Sequence, residues 1–168
     1  IMSINEKQKK IRKQILSPFK FGLFKITKLP LTFLSGIKAI ELSPDSATTS
    51  VKYGYLNTNP FKSIYYGVLA MTAELSTGVL AIFSIAKYEE SISLLVIESN
   101  GKFHKKATGK IKFTCNEGVL FQEALEKCIQ ENIPVTVSAS TKGFNEQNEL
   151  VCEYTFTWSF KLREKRTS

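Results

Sequence analysis

From Ile64 to Ala86 the chain runs for 23 residues without a basic side chain and with a single acid, Glu74 (IYYGVLAMTAELSTGVLAIFSIA). A helix that is apolar all round must be buried all round, inside a protein or in a bilayer. A lone carboxylate in that setting costs several kcal/mol unless it is paired, hydrogen-bonded or protonated. Two readings of Glu74 are therefore open. Its carboxyl caps neighbouring backbone or meets a lysine, or it serves a reaction that uses a shifted pKa.

At about 1.5 Å per residue the stretch spans roughly 35 Å, enough to cross a hydrocarbon core, and Lys62 and Lys87 flank it. An acid at mid-span costs about 2.5–3.5 kcal/mol on insertion, however. Gly67, Thr72, Ser76, Thr77 and Gly78 dilute the apolar character further, and the segments that follow alternate like strands able to wrap the helix. A core helix is the expectation.

A chain of 168 residues with 43% hydrophobic content suits one domain with its own core. Cys115, Cys128 and Cys152 are odd in number and lack CxxC spacing, so they read as small core residues of a reducing compartment, with neither a disulfide framework nor a metal site indicated. With no segment ordered like a signal peptide, a cytoplasmic location is expected.

The net charge of +8 is concentrated at one end. Residues 1–28 hold eight Lys/Arg (Lys7, Lys9, Lys10, Arg12, Lys13, Lys20, Lys25 and Lys28) against Glu6, a net of +7. The other 140 residues carry 15 basic and 14 acidic side chains, a net of +1. A basic N-terminal helix is either a solvated face or a surface that tracks phosphates or anionic lipid. Nothing resembles a base-reading motif, so nucleic acid is not expected as a partner; a peripheral membrane contact through residues 1–34 is the alternative carried forward.

Residues 3–16 set Ile4, Ile11 and Ile15 near helical spacing, and Ser17-Pro18 reads as the cap and first position of a second helix. That second segment is apolar from Phe19 to Leu34, is interrupted by Gly22 and Pro30, and is expected to pack on the domain, line a ligand tunnel or lie on a membrane surface. Ser46–Tyr55 alternates as a strand, and Asn57-Thr58-Asn59-Pro60 then delivers the long helix. After the helix, Ile92–Glu98 reads as a buried strand, Asn100-Gly101 as a hairpin turn, and Phe103–Cys115 as a strand with one wet face. Phe121, Leu125, Cys128 and Ile129 make the apolar stripe of a short helix ending before Pro134. Val135, Val137 and Ala139 open another strand. In the last one, Leu150, Cys152, Tyr154, Phe156, Trp158, Phe160 and Leu162 share a face. This order predicts an α+β fold, a curved antiparallel sheet wrapped round the long helix with extra N-terminal helices. Its edge strands would want partners, so a homodimer is expected.

On these residues the chain resembles the hot-dog-fold acyl-CoA thioesterase superfamily. The likeness is strongest from Asn59 to Gly78, where the branch of phenylacetyl-CoA thioesterases has Asn, a short turn, His-Gly-Gly and an acid nine residues after the His. Asn59 falls on the Asn, Tyr65 on the His, Tyr66 and Gly67 on the glycines, and Glu74 on the acid. Phe103-His104-Lys105-Lys106-Ala107-Thr108-Gly109 resembles the family's aromatic, basic, Ala, Gly strand. The block NPFKSIYYGVLAMTAELSTG is nearer to an uncharacterised bacterial branch than to one with a known substrate. The resemblance implies a hot-dog domain over 37–168, preceded by a helical extension over 1–36.

What the resemblance implies chemically is thioester hydrolysis at a dimer-interface site, with coenzyme A entering as part of the substrate and no separate cofactor. The first turn of the long helix offers free N–H groups near Tyr65, Tyr66 and Gly67 to hold the thioester carbonyl, and Gly67 permits close approach. Glu74 lies two to three turns deeper on the same helix, and in hot-dog dimers the matching acid faces the partner's helix start. Glu74 would be general base or nucleophile and Asn59 would orient water or acyl group. Tyr65 and Tyr66 would supply hydroxyls or simply pack, and Lys105 and Lys106 would meet coenzyme A phosphates or lie solvated. His104, the only histidine, has no acid or nucleophile at a recognisable spacing, which disfavours Ser-His-Asp and Cys-His mechanisms. The other readings are a protein of this fold that holds an acyl chain without cleaving it, and a membrane-surface module. The assembly is expected to be a dimer or a dimer of dimers.

Overall fold

The computed structural model describes residues 4–163. The chain opens with three helices, α1 (Glu6–Ile15), α2 (Pro18–Lys28) and α3 (Pro30–Leu34). Strands β1 (Lys38–Leu42) and β2 (Ala47–Lys52) follow, then a single 3₁₀ turn at Tyr55–Asn57 and the long helix α4 (Tyr66–Ile85). The chain ends with β3 (Ile92–Phe103), β4 (Lys110–Cys115), α5 (Gly118–Glu131), β5 (Val135–Phe144) and β6 (Leu150–Leu162). All six strands form one antiparallel sheet in the order β1-β2-β4-β5-β6-β3, as the α+β reading expects.

Helix α4 is long and apolar enough to cross a membrane by length and composition, yet the sheet encloses it. Its polar residues explain why it belongs there. Thr49 Oγ1 donates to Thr72 O (2.7 Å), Ser76 and Thr141 hydroxyls bond each other (2.8 Å), and Trp158 Nε1 donates to Thr77 Oγ1 (3.0 Å). Each buried Thr and Ser hydroxyl of the helix is thus matched to a sheet partner or to the helix's own backbone, so burial costs little. The apolar remainder packs with Phe113, Phe121 and Phe160 around the fully buried Phe83. Side chains of this size contribute about 1.5–3 kcal/mol each.

Strand β6 behaves as its alternation predicts, with Cys152, Tyr154, Phe156, Trp158 and Phe160 all buried. The 92–115 region does not. There is no hairpin at Asn100-Gly101; β3 runs straight through it and pairs with β6, Gly101 opposite Tyr154. A Cβ on Gly101 would stand 2.5 Å from Tyr154 Cε1, so the glycine is there to admit that ring. Nor is Ile92–Glu98 a buried strand, since β3 lies at the sheet edge with Leu95 and Ile97 exposed. The other edge, β1, is a short strand that the alternation does not announce.

Ser17 and Pro18 begin α2 as expected, the Ser17 hydroxyl accepting Lys20 N–H, whereas Gly22 lies inside α2 without breaking it. Helix α1 docks on the end of α4. Asn5 caps α1 and donates through Nδ2 to Ala86 O and Lys87 O (both 3.1 Å), and Gln8 Nε2 donates to Phe83 O (3.2 Å). One lysine of the basic N-terminus is not solvated. Lys25 is buried, donates to Ile37 O and lies over the Phe21 and Phe33 rings at 5.3 and 5.8 Å. Burial, then the nearby Lys38, lowers its pKa. Cys115, Cys128 and Cys152 are free and buried, and burial pushes the Cys115 and Cys152 thiols up to about 12.

Candidate functional site

The chain enters α4 through a tight arrangement of backbone bonds. Asn57 is buried, and its side chain joins three segments: Nδ2 donates to Ser35 O (3.1 Å) and Lys52 O (2.9 Å), while Oδ1 accepts Gly54 N–H (2.9 Å). Its carbonyl accepts the Tyr65 N–H (2.8 Å). One of the three N–H groups expected to face a substrate is therefore already used. Those of Tyr66 and Gly67 have no hydrogen bond among the described residues and remain at the positive end of α4.

Asn59 is half-buried, and its Oδ1 accepts from Phe61 N (2.9 Å), Ser63 N (3.3 Å) and Ser63 Oγ (3.2 Å). The oxygen shapes the turn, which leaves the amide nitrogen as the group able to meet a ligand. Ile64 N donates to Ala107 O (2.9 Å), which fastens the Lys105-Lys106 loop beside the start of α4. As a result Asn59, Tyr65, Tyr66, Lys105 and Lys106 line one groove of about 350 Å³. Five residues read from separate parts of the sequence meet there.

Tyr65 and Tyr66 are exposed, with ring centroids 4.9 Å apart. The hydrogen bond to the Tyr66 hydroxyl raises the pKa of Tyr65. Gly67 serves this pair, because a Cβ there would stand 2.8 Å from Tyr65 Cε1. The close approach that Gly67 permits is thus that of a side chain in its own protein. Lys105 is tied to Glu149 in an exposed ion pair, whereas Lys106 is exposed with no ion pair among the described residues. His104 does have an acid: its Nε2 lies 3.2 Å from Glu153 Oε1, brought close by the β3–β6 pairing. Neither member of that pair lines the groove.

Glu74 lines a different space. Eight residues beyond Tyr66, it is about 12 Å further along the helix axis. It faces a cavity of about 580 Å³ between α4, β3 and the N-terminal helices, walled by Ile11, Phe21, Leu29, Val79, Leu94 and Trp158 among others. The walls are hydrocarbon and indole almost throughout. No hydrogen bond or ion pair reaches the Glu74 carboxylate among the described residues, and burial raises its pKa. Of the two readings open for this acid, the one in which it meets a lysine is not what forms. The apolar run from Phe19 to Leu34 lines this space through Phe21, Phe24 and Leu29, one of the uses expected of it, whereas the share of α1 in the wall, Ile11, Gln14 and Ile15, was not foreseen.

One chain, then, presents a groove lined by Asn59, Tyr65, Tyr66, Lys105 and Lys106 with no acid in its wall, and a separate, largely apolar cavity that holds Glu74. No protein-family model matches this chain, and no curated protein does. Among solved structures it is similar to a Pseudomonas aeruginosa protein of unknown function described as a probable thioesterase, 18% identical over 89% of this chain and 99% of that one, with a TM-score of 0.72. It is similar to a protein of unknown function from Chlorobaculum tepidum (13% identity, 89% and 99% covered, TM-score 0.73). A Haemophilus influenzae thioesterase is likewise similar (13% identity, 94% and 99% covered, TM-score 0.65). At such identities likeness speaks for the fold, and the fold of this chain is the hot-dog fold of thioesterases.

Proposed function

We propose that this protein hydrolyses an acyl-CoA thioester at sites formed between two copies of the chain. The observation that carries the reading is Glu74, an acid with no partner among the described residues in an otherwise apolar cavity, its pKa raised by burial. Such an environment makes a carboxylate a strong base once ionised. The Glu74 carboxylate takes a proton from water, and the oxygen adds to the thioester carbonyl carbon. Charge develops on the carbonyl oxygen, where the N–H groups of Tyr66 and Gly67 stabilise it. The C–S bond breaks, coenzyme A leaves as thiolate, and the proton held by Glu74 passes to it. The amide nitrogen of Asn59 orients water or the acyl group. Lys106, with Lys105 once released from Glu149, meets the phosphates of the carrier.

The separation of groove and acid supports two copies. Glu74 is too far along its own helix to reach a carbonyl at Tyr66, so the acid of one copy serves the groove of the other. The β3 edge, with Leu95 and Ile97 exposed, gives a second copy a strand to pair with beside the Glu74 cavity. A dimer of dimers would repeat the same unit.

The test is free-thiol release from short, long and aromatic acyl-CoA thioesters by the wild type and by Glu74→Gln. Turnover that falls at least about 100-fold in the variant, with the fold retained, is the expected result. An undiminished rate removes Glu74 from the chemistry. No turnover on any thioester, with acyl chain recovered from the purified protein, would leave a carrier that binds without cleaving.

A further inference from the structure

Helix α2 has two faces put to different uses. Phe21 and Lys25 turn inward and are buried. Phe19, Leu23 and Ile26, spaced i, i+4 and i+7, fall within about 60° of one another around the helix, and they are 81%, 58% and 51% exposed. Helix α3 adds Leu31 and Leu34, 66% and 55% exposed. Single exposed leucines are ordinary on a protein surface, but five large apolar side chains within 16 residues make a contact surface.

The charge around it identifies the occupant. Between Glu6 and Glu41 the sequence has nine Lys/Arg and no acid. Arg12, Lys13, Lys20 and Lys28 are exposed there, and Lys20 lies about a quarter turn from the apolar stripe. We propose that α2 and α3 dock the protein on an anionic bilayer surface, Phe19, Leu23 and Ile26 entering the boundary between headgroups and acyl chains while the neighbouring cations meet lipid phosphates. An interfacial helix needs this pairing of apolar stripe and basic surroundings. A second copy of the chain is a poorer fit. Two copies joined face to face would press the same acid-free, positive surfaces together, whereas anionic lipid neutralises them. Docking also has a consequence for the cavity of Glu74, because Phe24 and Leu29 of the same segment form part of its wall. The proposal does not depend on turnover at that acid.

The test is co-flotation of the full chain with vesicles of phosphatidylglycerol and phosphatidylcholine in equal parts, and with phosphatidylcholine alone. Binding to the anionic vesicles should exceed binding to the neutral ones at least about tenfold and weaken with salt. The triple variant Phe19→Ser/Leu23→Ser/Ile26→Ser should lose at least about tenfold on the anionic vesicles, and Lys20→Glu/Lys28→Glu should lose binding there without touching the stripe. Wild type that floats with neither vesicle, or a folded triple variant that floats as well as wild type, overturns the proposal. If wild type stays in solution and light scattering shows the triple variant to be a smaller species, the face belongs to a second copy.

Discussion

Gly78 lies one turn beyond Glu74 on α4, and a Cβ on it would stand 3.2 Å from Glu74 Oε1 and 3.3 Å from Trp158 Cη2. The bare glycine is what lets the carboxylate and the indole lie against the same turn. Trp158 is buried and held by Thr77, so the carboxylate is the group that must yield. Gly78→Ala gains up to about 1 kcal/mol of helix propensity, which offsets the tight contact. Stability in urea should stay within about 1 kcal/mol of wild type, while thioester turnover should fall at least about tenfold because the proposed base is displaced. Unchanged turnover would mean that the position of this carboxylate does not limit the reaction.

Burial raises the pKa of Glu74, so the folded protein holds that proton more tightly than the unfolded chain does. A group with a raised folded pKa contributes its stability in full below the ordinary carboxylate value, here 4.5, and loses it as pH rises through the folded value. Glu74→Gln has no such titration. At pH 7 it should therefore be more stable than wild type, with the gap closing below about pH 4.5. Urea unfolding at both pH values measures this. A variant less stable at pH 7 would reveal a favourable partner for the carboxylate.

Where a feature was written in local chemistry, the sequence could be read. The seven-fold alternation of β6, the Ser17-Pro18 helix start and the lone acid of the long apolar run each follow from residues a few positions apart. What escaped depended on partners distant in the chain. Asn100-Gly101 is a sound hairpin signal, but Tyr154 fills the space beside Gly101 and the strand continues. The hydroxyls of α4 looked like a dilution of its apolar character until Thr141 and Trp158 arrived opposite Ser76 and Thr77. The groove residues were legible because the turn before α4 and the segment around Lys105-Lys106 resemble a known pattern, although 104–109 form a loop where a strand was expected. Their separation from Glu74 was legible only as distance along one helix.

Asn57 and Asn59 stand two residues apart in one turn, and nothing local ranks them, yet the structure gives them different work. Asn57 is buried with three side-chain hydrogen bonds to three segments, whereas Asn59 is half-buried and serves its own turn. Asn57→Ala should cost about 2–4 kcal/mol, since it leaves two carbonyls and an N–H without their partner. Asn59→Ala should cost less, about 1 kcal/mol, and act mainly on turnover. Urea denaturation of the two variants decides it; equal losses would make Asn59 as structural as Asn57.

Trp158, the only tryptophan, donates to Thr77 Oγ1, and that hydroxyl donates in turn to the carbonyl of Glu74 at 2.9 Å. Thr77→Val keeps the shape and removes the acceptor, leaving a buried indole N–H unsatisfied at a cost of about 1–3 kcal/mol. Thr77→Ser restores the hydroxyl and gives up only a methyl group, about 1 kcal/mol or less. The Val variant should therefore unfold at lower urea than the Ser variant, and the emission of the single indole should change in the first and not in the second. Because the same hydroxyl is bonded to the turn of α4 that carries Glu74, turnover should follow the same order, Ser above Val. If Val and Ser lose equal stability, the methyl contact, not the hydrogen bond, holds Trp158 against the helix.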